Sequence, residues 1–96
     1  MRAITNIGTV QVSARDVDDA ARRLESVAIM TALEQSPRLT EEVGVAVYLK
    51  REDIQVCRSF KVRGAYNKIA ALSKDEAQPG VAAASAGNHA QGVAYA

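Results

Sequence analysis

The chain has 96 residues, 12 basic against 11 acidic, and its 46 hydrophobic residues include 18 alanines and only 24 Leu, Ile, Val, Met or Phe. A charge near zero argues against the basic stripe of a nucleic-acid binder, and no apolar run approaches the roughly 18 to 20 residues that cross a bilayer or forms a signal peptide after Met1-Arg2. The single Cys57 and single His89 exclude a disulfide scaffold and a structural zinc module, so one small, soluble, cytoplasmic domain without a metal site is expected.

Residues 1–12 lack helical periodicity and read as an irregular lead-in. From Ser13 the pattern changes. Ser13 and Asp16 have the spacing of a capping box, and Val17, Ala20, Ala21, Leu24 and Val27 then recur at helical intervals, which predicts an amphipathic helix with alanines on its inner face. A loop over 31–44 follows, with a short helical turn expected from Pro37 to Val43. The run Val45 to Leu49, between Gly44 and the charged Lys50-Arg51-Glu52-Asp53, reads as a buried strand of a parallel sheet.

Ser59 is placed to cap a second helix whose Val62, Ala65, Tyr66, Ile69 and Leu72 share one face. It gives way to a polar stretch over 74–80 that turns at Pro79-Gly80. Val81 to Ala84 reads as a second strand, and Asn88 to Ala96 as the start of another helix. The expected architecture is α/β: a helix, then strand, helix, strand, helix, with the two strands parallel. Such an order brings the loops over 50–59 and 85–88 to one sheet edge, where open α/β folds bind ligands. The final helix carries no closing Gly or Pro, so the chain is expected to be part of a longer domain.

Two constellations can carry chemistry. Lys61 lies in the first turn of the second helix, where the macrodipole disfavours a cation by about 0.3 to 1 kcal/mol and so favours the neutral amine that attacks a carbonyl. Phe60 precedes it and Gly64 follows in the same turn. Position alone does not single this lysine out, because lysines near helix starts are more often solvated surface residues. The second constellation is Ser85-Ala86-Gly87-Asn88-His89, small residues at a helix start whose backbone N–H groups suit a carboxylate or phosphate; capping alone would also explain it. Cys57 reads as a small buried hydrophobe.

Taken together, the segments "YLKRED" (48–53), "SFKVRGAYN" (59–67) and "ASAGNHAQGVA" (84–94) closely resemble, in order and spacing, the start of the catalytic domain of the threonine dehydratase (threonine ammonia-lyase) family. These are fold type II, tryptophan-synthase-like enzymes dependent on pyridoxal 5'-phosphate, with serine racemase a close relative. The resemblance extends over about residues 16–96. It implies that Lys61 carries pyridoxal phosphate covalently, that Phe60 packs against the pyridine ring and that Asn88 hydrogen-bonds the cofactor's phenolic oxygen. Ser85, Ala86, Gly87, Asn88 and His89 would cradle the substrate carboxylate. The freed Lys61 amine would then remove the α-proton of L-threonine, the β-hydroxyl would leave, and hydrolysis would give 2-oxobutanoate and ammonia for isoleucine biosynthesis.

The chain departs from the family pattern at Thr31-Ala32-Leu33, where Thr-Pro-Leu is common, and at Val62, where Leu or Ile is more usual. Neither position bears the chemistry. The family's glycine-rich phosphate loop and its serine opposite the pyridine nitrogen lie beyond position 96. The resemblance therefore implies an N-terminal part of a lyase, inactive alone, with L-threonine or L-serine as the amino-acid substrate and a homotetramer as the assembly. Serine racemase or serine dehydratase chemistry is the same-fold alternative. A non-enzymatic remnant that associates with intact subunits through exposed strand edges is the alternative of another class.

Overall fold

Ser13 caps the first helix. Its hydroxyl accepts the Asp16 N–H while the Asp16 carboxylate accepts the Ser13 N–H at 2.8 Å, and this reciprocal box starts α1 (Ala14–Leu24). The computed structural model describes residues 10–96, so most of the lead-in expected over 1–12 lies outside the described residues. Of α1, no residue is fully buried, and of the alanines predicted to pack closely Ala20 is half-buried and Ala21 exposed. The helix is tied to the rest of the chain by Arg23, whose guanidinium donates to Asn67 Oδ1 at 3.0 Å.

After α1 come β1 (Leu33–Gln35), α2 (Pro37–Val43) and β2 (Tyr48–Lys50). Ser36 caps α2, proline occupies its first turn, and Gly44 closes it at φ 80°, a left-handed conformation that glycine adopts without a Cβ penalty. The Thr40 hydroxyl then accepts the Val47 N–H at 3.0 Å and draws the chain back beside β1. The two strands pair antiparallel, with Leu33 opposite Lys50 and Gln35 opposite Tyr48.

This pairing corrects the parallel sheet expected from the sequence. The first strand is shifted to 48–50, its partner comes from the segment read as a loop, and Val81 to Ala84 forms no ladder. The reason is local: α2 and Gly44 reverse the chain, so β1 occupies an edge of β2 with no crossover required. The run over 81–84, three of its four residues alanine, offers little β-branched surface for pairing. Nor is the strand buried as expected, for Val45, Tyr48 and Leu49 are all exposed.

Two 3₁₀ turns, Glu52–Ile54 and Val56–Arg58, lead into α3 (Lys61–Ala70); α4 (Lys74–Ala77) and α5 (Asn88–Tyr95) complete the order. The short α4 has its own capping box between Ser73 and Glu76, which the sequence reading missed within the stretch over 74–80. The apolar face predicted for α3 is present: Val62 is 0% and Ala65 4% exposed, and they are the buried hydrophobic residues among those described. Their burial comes largely from α5, which lies along α3. The radius of gyration is 17.2 Å, against about 12.5 Å for a compact domain of this length. So thin a core leaves much of the apolar surface uncovered. Among the described residues, no helix is long and apolar enough to cross a membrane.

Candidate functional site

The residues around Lys61 are organised by a close approach of two helices. Gly92 of α5 is buried directly against the start of α3, where a Cβ would meet the Lys61 carbonyl carbon and oxygen at 3.1 Å and the Val62 nitrogen at 3.2 Å. Glycine lets the backbones come this near without displacement, whereas any Cβ would require the helices to give by a few tenths of an ångström. Residues four apart share a helix face, so Asn88 lies one turn before Gly92 on the side of α5 that meets the Lys61 turn. The helices that bear the two predicted constellations, α3 and α5, thus pack on each other at Lys61 and Gly92, and not through adjacent parallel strands.

Lys61 Nζ lies 4.9 Å from the centroid of the Phe60 ring and has no ion-pair partner among the described residues. Phe60 occupies the N-cap position, while Ser59, predicted to be the cap, sits one residue earlier and accepts the Lys61 N–H at 3.3 Å. Phe60 is 59% exposed, leaving ring surface for another flat group. At α5, Gly87 is the N-cap and supplies no side-chain cap, so the first N–H groups of the helix face outward. The Gly87 N–H donates to Ser85 Oγ at 3.1 Å, which folds the loop over 85–87 in front of the helix. An amine on one helix and an uncapped N-terminus on the helix packed against it are the groups that a ligand bearing a carbonyl and an anionic group requires.

His89 is separated from this arrangement. It lines a groove of about 240 Å³ with Gly64, Lys68, Leu72 and Val93, on a flank of α3 that does not include Lys61. Cys57, expected to be buried, is half exposed and backbone-strained: Cys57 (φ 60°) and Arg58 (φ 56°) are successive non-glycine residues in the left-handed region. Its thiol approaches the Gln91 carbonyl oxygen at 3.7 Å, a weak contact between the loop over 50–59 and α5.

Next to these residues lies a polar cluster that sequence reading did not single out. Arg63 donates through Nε to Glu52 Oε2 at 2.8 Å and through Nη2 to Glu52 Oε1 at 2.9 Å, a two-bond grip on one carboxylate. Thr31 Oγ1 donates to the same carboxylate at 2.6 Å. Gln55, 1% exposed, accepts the Ile29 N–H at 2.9 Å and donates to the Ile29 carbonyl at 2.8 Å. The Arg63 hydrogen bonds, aided by Thr31 and Gln55, outweigh burial and hold the Glu52 carboxyl down at about 2. Reciprocally, Glu52 raises the Arg63 guanidinium. Glu52 and Arg63 stand eleven residues apart across a strained loop and in different elements, so no periodicity within one helix or strand pairs them. Gly92 did leave a signal, as a glycine inside a helical pattern.

Residues 24–96 match the family described as "Pyridoxal-phosphate dependent enzyme". The chain is 55% identical over 91 residues to the "L-threonine dehydratase biosynthetic IlvA" of Mycobacterium leprae, a match that covers 95% of this chain and 21% of that protein. The chain thus spans about one fifth of the length of the curated relatives it matches. Among solved structures, maize serine racemase superposes with a TM-score of 0.78 at 32% identity, covering 86% of this chain and 26% of that one. The processed form of threonine deaminase isoform 2 from Solanum lycopersicum superposes with a TM-score of 0.65 at 43% identity, covering 86% and 24%.

Proposed function

The chain belongs to the pyridoxal-phosphate dependent enzymes, and from that premise we propose that it is the N-terminal part of a threonine dehydratase in which Lys61 holds the cofactor. The observation that supports the proposal is the contact of Gly92 with the Lys61 backbone, which packs the helix that bears the lysine against the helix that follows the Ser85-to-Gly87 loop.

The residues present fit the group. Lys61 offers an amine with no competing ion pair among the described residues, Phe60 an exposed ring face, and α5 uncapped N–H groups flanked by Ser85 and Asn88. Bound pyridoxal phosphate supplies an electron sink for negative charge at the substrate α-carbon. The Phe60 ring would pack on the cofactor's flat face, and the Asn88 amide would donate to its phenolic oxygen. The segment Ser85-Ala86-Gly87-Asn88-His89 binds the substrate carboxylate, mainly through backbone N–H groups at the positive end of α5. That binding orients the α-hydrogen toward Lys61. Once freed, the Lys61 amine would take the proton from the α-carbon of L-threonine, the β-hydroxyl would leave with a proton as water, and uptake of water by the product enamine and imine would give 2-oxobutanoate and ammonia. With this reading go a cytoplasmic location, a homotetrameric assembly and a role in isoleucine biosynthesis. The 96-residue chain, which spans about one fifth of the length of its curated relatives, is expected to be inactive alone.

Serine racemase chemistry is the second reading, favoured by the better superposition, 0.78 against 0.65. Sequence identity runs the other way, 32% against 43%, and substrate choice is made by side chains more than by backbone shape. The test is borohydride reduction of the intact protein with pyridoxal phosphate, followed by peptide mapping and a substrate panel. Label on Lys61 and 2-oxobutanoate from L-threonine are expected. Label on another lysine overturns the site, and D-serine from L-serine without 2-oxobutanoate from L-threonine overturns the activity.

A further inference from the structure

We propose that Glu52 and Arg63 form a clamp that sets the rotation of the first turn of α3 and thereby aims the Lys61 amine; the inference rests on the reading that Lys61 carries the cofactor. Lys61 and Arg63 are two residues apart on one helix, so their side chains leave it about 200° apart around the axis. Arg63 therefore points away from whatever Lys61 holds. It can influence that group only through the helix, which makes it a positioning residue.

The geometry suits this task. The guanidinium is gripped at two atoms, 2.8 and 2.9 Å from the Glu52 oxygens, which fixes its plane as well as its distance. Glu52 is itself held by Thr31 at 2.6 Å and by Gln55 at 3.4 Å. Gln55 is anchored in turn by two hydrogen bonds to Ile29 and one to the Val56 N–H at 2.9 Å. The clamp is thus rooted in the segment between α1 and β1, outside the loop that leads to Lys61. In the same turn the Lys61 backbone bears on Gly92 of α5. The start of α3 is thus held by two separate contacts.

A second observation concerns the connection between the clamp's halves. Cys57 and Arg58 hold positive φ without being glycine, and such conformations persist only where surrounding contacts over-determine them. Glu52 and Gln55 before the strained pair, and Arg63 after it, provide those contacts. If the grip loosens, the strained pair can relax and α3 can turn. Misplacement of a reacting group by about 1 Å can cost about 100-fold in rate.

The test uses the intact protein with its cofactor bound. Arg63→Lys keeps the charge but loses the fork; Thr31→Val removes one hydrogen bond to Glu52. Arg51→Lys, which weakens the exposed pairs with Asp53 and Glu34, is the control. The readouts are the circular dichroism of the bound cofactor's absorption band, which reports the orientation of the Lys61-linked ring, and kcat and KM separately, alongside Tm. Arg63→Lys is expected to lower kcat by about 10- to 100-fold, with KM changed by less than about threefold and the cofactor band reduced by about half or more. Thr31→Val should move the same readouts less, and Arg51→Lys should leave them unchanged. A folded Arg63→Lys with lowered Tm but unaltered band and kcat would show a structural pair only and overturn the clamp. Should Arg63→Lys fail to fold, Thr31→Val decides by the same readouts. Absence of borohydride-stable cofactor on Lys61 in the wild type marks failure of the functional reading, before any variant is made.

Discussion

Gly92 presses on Lys61 so closely that a methyl group at position 92 would sit 3.1 Å from the Lys61 carbonyl carbon and oxygen. The neighbour here is backbone, which cannot rotate aside as a side chain can. Gly92→Ala should therefore push α5 off the start of α3 by a few tenths of an ångström and destabilise the intact protein by about 1 to 3 kcal/mol, as overpacking does. Gly92→Val should cost more. Urea unfolding measures the loss, and the fraction of protein reducible onto Lys61 by borohydride should fall with it. Wild-type stability in Gly92→Ala would mean the helices separate freely.

Gly44 gives a prediction free of packing. Its φ is 80° and nothing lies within 4 Å of a Cβ built there, so substitution meets only conformational strain. Gly44→Ala should cost about 1 to 2 kcal/mol. Gly44→Asn should cost less, because asparagine tolerates the left-handed region. Equal losses for the two variants, measured by chemical denaturation, would show that something other than φ is at stake.

How much of this was legible in the sequence depends on how local each feature is. Ser13 with Asp16, Pro37 to Val43 and the Val62-Ala65-Tyr66-Ile69 face are written within a turn or two of chain, and the elements appear where expected. Ser73 with Glu76 repeats the Ser13 spacing but lacks an apolar run behind it, so α4 went unread. Strand pairing is decided elsewhere. Nothing in Val45 to Leu49 says that Leu33 to Gln35 will be its neighbour, because that choice is made by α2 and Gly44 turning the chain back. The same holds at the site. Lys61 and the loop before α5 stand out as residue types, whereas the Glu52–Arg63 grip and the positive φ at Cys57 and Arg58 depend on three-dimensional closure.

Gln55 should be among the least replaceable residues for stability. Its carboxamide is enclosed and satisfies both backbone groups of Ile29 as well as the Val56 N–H. Gln55→Leu, similar in volume, strands these groups in a partly buried setting at about 1 to 3 kcal/mol for each one left unpaired. Gln55→Glu keeps the acceptor for Ile29 and Val56 but faces the Ile29 carbonyl and Glu52 with negative charge. Both variants should lower Tm, and amide exchange at Ile29 and Val56 should accelerate in Gln55→Leu. Unchanged protection at those amides would contradict the assigned bonds.

The Glu52 carboxyl, held at about 2 against an ordinary 4.5, ties stability to acid. A lowered folded value means that the folded protein binds fewer protons than the unfolded one between those limits. The stabilisation is therefore complete above about 4.5 and is lost as pH falls toward 2. With the carboxylate's side chain only 15% exposed, its charge-assisted bonds to Arg63 are worth about 1 to 3 kcal/mol at neutral pH. Glu52→Gln should be less stable than wild type by about that amount at pH 7. The gap should narrow steadily as pH falls below about 4.5. Asp16, Asp53 and Glu76 are also held low by their partners, but they are common to both proteins and cancel in the difference. Urea unfolding of the pair at pH 7, 4 and 3 measures the gap, and a difference that stays constant with pH would show that Glu52 contributes shape and not charge.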